Sequence, residues 1–291
     1  GKDMSPFMEA CLAFIDTQPF SIIRLAQSYQ DGAIEVAECQ RVGRCQNVYS
    51  GAKLFTAVAV GLLVDEGRLR IEDKICDILR EELPEAGMDS RWEKATVEDA
   101  LRHRLGLPGG FLDIDVQPMA AFTQDYLRYT FACPLLCDPG TEETYSDGAF
   151  YVLSRIGEKA SGMGLDAYLW QKLLWKMEFG EMAWSRCPMG HVLGGSDLYL
   201  HAADMVKLGR LILNDGVYQG ERLLSSAWTQ RMKTHGYVLD WDEQHRIYYK
   251  GGMHGQKLIM APEQGRVVAM QAYGANSQVV AEFVRDYGNR P

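Results

Sequence analysis

Ser50-Gly51-Ala52-Lys53 sets a hydroxyl and an amine three residues apart, where Tyr49 gives way to the apolar run 54–60. If that run is a helix, the two side chains leave one face about a turn apart. A lysine held against an apolar helix loses solvation, which favours the neutral amine and makes it a base for the serine hydroxyl. The helix N-terminus beside Ser50 favours the negative charge that develops during attack on an acyl group. The plainer reading makes Ser50 an N-cap and Lys53 a solvated first-turn residue. Against it, the run is apolar nearly all round, the mark of a buried helix, and a buried lysine needs a reason.

Two other groups carry polar chemistry. Tyr145-Ser146-Asp147 follows Pro139-Gly140-Thr141 and precedes a helical stretch. A phenol flanked by cations serves as general acid or base, whereas Ser146 or Asp147 read as helix caps is the plainer role. Lys250-Gly251-Gly252-Met253-His254-Gly255-Gln256 lies between two strand-like runs. Adjacent glycines let a ligand backbone lie along a strand edge without side-chain clash, and a Gly-rich hairpin turn is the alternative. Cys133 and Cys137 sit four residues apart beside Pro134 without a nearby histidine, so they read as packing and not as zinc ligands. No metal and no cofactor is expected.

The elements that must position these residues follow from periodicity. Residues 5–16 have a helical stripe with Ser5 as N-cap and Pro6 in the first turn. Runs 20–26 and 33–39 are strand-like around Gln30-Asp31-Gly32, a hairpin signal. Helical periods then dominate at 54–65, 97–104, 148–159, 165–176, 202–214 and 226–233. Strand-like runs return at 246–250, 257–261 and 266–273, and a helix over 278–287 follows. Strands at both ends and helices between them predict an α+β fold: an antiparallel sheet built from both chain ends, flanked by terminal helices, with an inserted mostly helical lobe. The expected division is 1–45 with 234–291 for the sheet lobe and 46–233 for the helical lobe, the site lying in the cleft between them.

Composition narrows the function. The chain has 291 residues, 47% hydrophobic and 24% charged, near the upper limit for one core. A formal net charge of −9 excludes nucleic acid as the natural partner, since a phosphate backbone needs a basic face. The longest apolar run, 54–64, is too short for a membrane span and ends at Asp65 and Glu66. Seven scattered cysteines without a Cys-x-x-Cys read as free, buried, reduced thiols, and no apolar leader follows Gly1-Lys2-Asp3; the expectation is a cytoplasmic protein. Trp170 and Trp175 read as core. Tyr126, Trp184, Tyr199, Tyr237 and Trp241 are candidates for an acyl pocket, with packing the commoner fate.

The three groups, in this order, resemble the serine β-lactamase and penicillin-binding-protein superfamily, specifically its class C-like branch of β-lactamases, esterases and D-amino-acid peptidases. That family carries Ser-x-x-Lys, then Tyr-x-Asn, then Lys-[Ser/Thr]-Gly or His-x-Gly. The stretches 62–69, 103–108 and 204–209 add to the similarity, which runs over about residues 33–271. The resemblance implies a nucleophilic Ser50 that becomes acylated, Lys53 and Tyr145 as proton shuttles, and Lys250 lining the third-motif strand. It also implies an oxyanion hole from the backbone N–H groups of Ser50 and Met253, and a small-molecule or peptide acyl substrate. Asp147 and the strand Gly251-Gly252 would border the substrate. Two departures stand out. Asp147 replaces an amide with an acceptor that can pair with Lys53 or Lys250 and hold it protonated, and Gly251 replaces a hydroxyl residue. Both argue against efficient β-lactam turnover. His254 is near enough in sequence to supply a lost donor. The alternative is a non-catalytic ligand-binding or sensing module on the same fold.

Overall fold

Ser5 opens the first helix by accepting a hydrogen bond from Met8 N at 3.1 Å, with Pro6 in the first turn where its missing N–H costs nothing. The computed structural model describes residues 3–291; Gly1 and Lys2, part of the segment read for a leader, lie outside the described residues. In chain order the strands are β1 (Ile22–Tyr29), β2 (Glu35–Glu38), β3 (Gln46–Asn47), β4 (Met182–Trp184), β5 (Leu198–Leu200), β6 (Val217–Tyr218), β7 (Glu221–Arg222), β8 (Asp240–Asp242), β9 (Ile247–Gly252), β10 (Gln256–Ala261) and β11 (Arg266–Ala272). The α-helices are α1 (Pro6–Asp16), α2 (Ala52–Asp65), α3 (Ile75–Ile78), α4 (Val97–Leu101), α5 (Tyr126–Phe131), α6 (Asp147–Ser161), α7 (Leu165–Leu169), α8 (Ala202–Leu213), α9 (Ser226–His235) and α10 (Ser277–Tyr287).

The chain divides into two compact units. One comprises the chain up to Gly51, Met177–Ala183 and Leu198–Pro291; the other comprises Ala52–Lys176 and Trp184–Asp197. The first is built on a six-stranded sheet in the order β2-β1-β11-β10-β9-β8, antiparallel throughout. Strands from both chain ends therefore meet at the β1–β11 pair, as the sequence predicts for an α+β fold. Phe7, Met8, Cys11 and Ile15 of α1 and Val280, Ala281 and Val284 of α10 pack with Leu25, Ile259, Val268 and Met270 of the sheet. Helix α8 packs over β11, β1 and β10. It comes so close at Gly209 that a Cβ there would stand 2.5 Å from Val267 Cγ1. That packing explains why residues 198–233, expected with the helices, belong to the sheet unit. Strands β3, β5 and β4 form a second, three-stranded sheet in that order, which the sequence reading did not anticipate because two- and three-residue strands leave no periodicity.

The second unit is mostly helical. Helix α2 is buried at every residue from Ala52 to Leu63, so its all-round apolarity reflects enclosure, with α6 and α7 among its neighbours. The helix predicted over 165–176 stops at Leu169 and continues as a π turn, Trp170–Leu174. Trp175 is not core: it is 57% exposed and donates Nε1–H to Gln171 O at 2.7 Å. Tyr126, Trp184 and Tyr237 are buried. All seven cysteines are free, but only Cys11, Cys76 and Cys187 are buried, which corrects the expectation of uniformly buried thiols. Among the described residues no helix is long and apolar enough to cross a membrane.

Candidate active site

The chemistry of the helical unit centres on Lys53. Its side chain is fully buried in the first turn of α2, and its Nζ forms an ion pair with Asp147 Oδ1 at the start of α6. The same Nζ donates to Gly195 O at 2.8 Å and lies 4.6 Å from the Tyr145 ring centroid. Gly195 O is held in place by its neighbour: Thr56 Oγ1, one turn along α2, donates to Gly194 O at 2.7 Å. Burial alone would push the Lys53 ammonium towards its neutral form. The charges of Asp147 and Tyr145 and their hydrogen bonds outweigh it, and the lysine pKa is raised above its ordinary value. That direction favours the charged amine over a neutral base, in keeping with the pairing that Asp147 makes possible.

Tyr145 and Asp147 flank the helix cap. Ser146 caps α6 by accepting from Ala149 N at 3.3 Å, which fixes its two neighbours on either side. Ser146 N in turn donates to His103 Nδ1 at 3.2 Å, and the His103 ring lies 4.5 Å from that of Tyr145. Tyr145 is 46% exposed while Asp147 is buried, so the tyrosine borders solvent while its phenol hydrogen-bonds to the buried Lys53. A second carboxyl stands behind the pair. Ser196 Oγ lies 2.7 Å from both carboxylate oxygens of Asp115. Burial, together with the charges of Asp147 and Asp113, raises the Asp115 pKa to about 6 against the opposing Ser196 bond and Lys53. The sequence reading missed Asp115, Ser196, His103 and Gly195 O as parts of this arrangement. They come from separate loops, and only the fold assembles them.

The sheet unit presents the remaining predicted residues. Ser50 is half-buried on a 3-10 turn, Tyr49–Gly51, that runs directly into α2. Tyr49 takes φ +50°, a conformation that strains a non-glycine residue. The turn is pinned by Tyr49 N donating to Asn47 Oδ1 at 2.8 Å and Gly51 N donating to Val48 O at 2.9 Å. Strand β8 pairs with Ile247, Tyr248 and Tyr249, so Lys250, Gly251 and Gly252 run past its end while remaining paired with β10. Residues 250–252 therefore lie at a sheet edge beyond the end of β8. Lys250 is buried on this strand, and its charge opposes the burial that raises the pKa of Asp240. The two glycines differ. A Cβ on Gly252 would stand 2.7 Å from Val48 O and 3.3 Å from Tyr49 Cβ, whereas a Cβ on Gly251 would meet only Gln256 O at 3.9 Å. Glycine is thus required at 252, where β9 meets the Ser50 turn. Met253 begins a short 3-10 turn and is exposed. His254 stacks on Tyr273 at 4.3 Å and meets the Tyr49 ring edge-on at 5.2 Å, so it reaches the residue beside Ser50.

The structure thus groups Lys53, Tyr145 and Asp147 in one unit and Ser50, Lys250, Gly251, Gly252, Met253 and His254 in the other, on an α+β frame with an antiparallel sheet. The Beta-lactamase family model matches residues 45–285, and the chain belongs to that family. Among curated proteins it is 27% identical to penicillin-binding protein 4 of Amycolatopsis lactamdurans, covering 81% of this chain and 73% of that protein. It is 24% identical to the 6-aminohexanoate-dimer hydrolase of Paenarthrobacter ureafaciens, covering 90% and 74%. Among solved structures, the penicillin-binding protein from Bacillus halodurans superposes with a TM-score of 0.73 at 16% identity, covering 98% of this chain and all of that one. These relatives support hydrolase activity in general terms and place the chain with the serine β-lactamases and penicillin-binding proteins.

Proposed function

We propose that the protein is a serine hydrolase of the class C-like type that forms an acyl-enzyme at Ser50 and acts on an ester, amide or small peptide. The observation that carries this reading is the wholly buried Lys53, three residues after Ser50, held by Asp147, Tyr145 and Gly195 O. A buried ion pair adds little net stability over apolar packing, so its presence points to chemistry. With Lys53 kept charged, its role is electrostatic: a lysinium beside Tyr145 stabilises negative charge on the phenol oxygen. Tyr145 then takes the Ser50 proton as Oγ attacks the acyl carbon, and returns that proton to the leaving alcohol or amine. Water enters by the reverse of these transfers, releasing the acid and restoring Ser50. Backbone N–H groups of Ser50 and Met253 receive the oxyanion, and Lys250 supplies positive charge along the substrate strand. Gly251 lacks the hydroxyl that would hold a substrate carboxylate, which favours neutral acyl groups over β-lactams.

The test is active-site labelling. A fluorophosphonate probe should phosphonylate the wild type at Ser50 with loss of fluoride, located by mass spectrometry, and p-nitrophenyl acetate should be turned over. Ser50→Ala should lose both. Wild-type protein inert to every acylating probe would overturn the proposal. Asp147 favours a second reading, since a locked lysinium suits a ligand-binding or sensing module that does not turn over. Labelling without turnover would decide for it.

A further inference from the structure

Away from the residues proposed for acyl transfer, the small three-stranded sheet brings together three metal-ligating side chains. Cys45 immediately precedes β3, Glu181 immediately precedes β4 and His201 immediately follows β5. Strand β5 is the centre of that sheet, with β3 on one side and β4 on the other. The β3–β5 pairing is antiparallel, with Gln46 opposite Leu200 and Asn47 opposite Tyr199. One step further in this register sets Cys45 opposite His201, so strand pairing itself fixes the two ligands side by side. Glu181 arrives from the other flank, with its Oε1 at 3.0 Å from His201 Nε2. The Cys45 sulfur, a Glu181 carboxylate oxygen and a His201 ring nitrogen all lie within 4.8 Å of one another.

We propose that Cys45, Glu181 and His201 form a binding site for a zinc-like divalent cation, with solvent completing the coordination. The donor set of one thiolate, one imidazole and one carboxylate is that of a borderline-soft metal, and a tetrahedral ion is commonly held by three protein ligands and a water. Ligand atoms around one zinc ion stand roughly 3.3–3.6 Å apart, so side-chain rotation of about 1 Å closes the set. Glu181 is exposed and Cys45 and His201 are half-buried, so an ion has an entry path and the side chains have room to adjust. The local field suits a cation, since the carboxylates of Glu181 and Asp204 both act at Cys45, with Arg24 opposing them. The Cys45 proton leaves to solvent as the metal–sulfur bond forms. Because Cys45 lies five residues before Ser50, the ion would tether β3, the strand that leads into the serine turn.

The experiment is a Co2+ titration of the reduced, chelator-stripped full chain, followed by competition with Zn2+. One equivalent should bind with a thiolate-to-cobalt charge-transfer band in the near ultraviolet, and Zn2+ should erase it. Cys45→Ser should abolish the band. Glu181→Gln, at an exposed position that leaves folding intact, should keep the band but weaken affinity; outer-shell partners alone are worth about 10–100-fold, so a lost ligand should cost at least about tenfold. No band in the wild type, a band surviving in Cys45→Ser through another of the seven cysteines, or unchanged affinity in Glu181→Gln would each overturn the site and leave only a His201–Glu181 hydrogen bond. None of these readouts depends on Ser50 chemistry.

Discussion

Replacing Asp147 by Asn tests the buried ion pair on which the site is built. The side-chain exposure of Lys53 is 0% and that of Asp147 is 9%, so neither charge has water to fall back on. Removing one partner of a buried pair costs about 3–5 kcal/mol because the other charge is left uncompensated. Asparagine keeps the volume and one acceptor oxygen, so a loss near the lower end, about 3 kcal/mol at pH 7, is expected. Lys53 can relieve that cost only by giving up its proton. Such a penalty places the folded-state lysine pKa below that of the unfolded chain. The sign then follows by linkage. In the variant the unfolded chain holds its lysine proton to higher pH than the folded chain, so stability rises with pH between the two values. In the wild type the Lys53 pKa is raised, its stabilising contribution is fully present below the unfolded lysine value, and it is lost only at still higher pH. The gap between wild type and Asp147→Asn should therefore be largest near neutrality and close towards pH 10, as read by urea denaturation at a series of pH values. A double variant, Lys53→Met with Asp147→Asn, should recover most of the loss. A gap that is absent at pH 7, or that widens with pH, would refute the buried-pair argument.

The Asp115 carboxyl, raised to about 6, is more protonated in the folded chain than in the unfolded one, so its stabilising contribution is present below about pH 4 and lost as pH rises through 6. The stability difference between wild type and Asp115→Asn should fall over that range, and a difference that stays flat would show that Asp115 is not the titrating group. Gly252→Ala should drive a Cβ into Val48 O and Tyr49 Cβ, costing about 1–3 kcal/mol and slowing fluorophosphonate labelling of Ser50. Gly251→Ala should leave both nearly unchanged, and equal effects at the two glycines would contradict the close approach at 252.

Local chemistry alone carried much of this protein. The Ser5–Pro6 cap, the apolar α2 and the strand runs at both ends are short-range features, and each lies close to where periodicity and capping preferences predict it. Helix α8 was legible as a helix but not as part of the sheet unit, because an amphipathic stripe does not say which surface will cover it. What periodicity could not reach was the state of Lys53. Burial and a nearby carboxylate push a lysine in opposite directions, and the winner depends on the distance to Asp147, 94 residues away along the chain. The sequence showed both groups; the fold set them in contact, which favours the charged amine. Asp115 behind that pair and the Cys45–Glu181–His201 cluster were invisible for the same reason. Their members come from separate loops and strand ends, and only tertiary packing and strand register bring them within reach of one another.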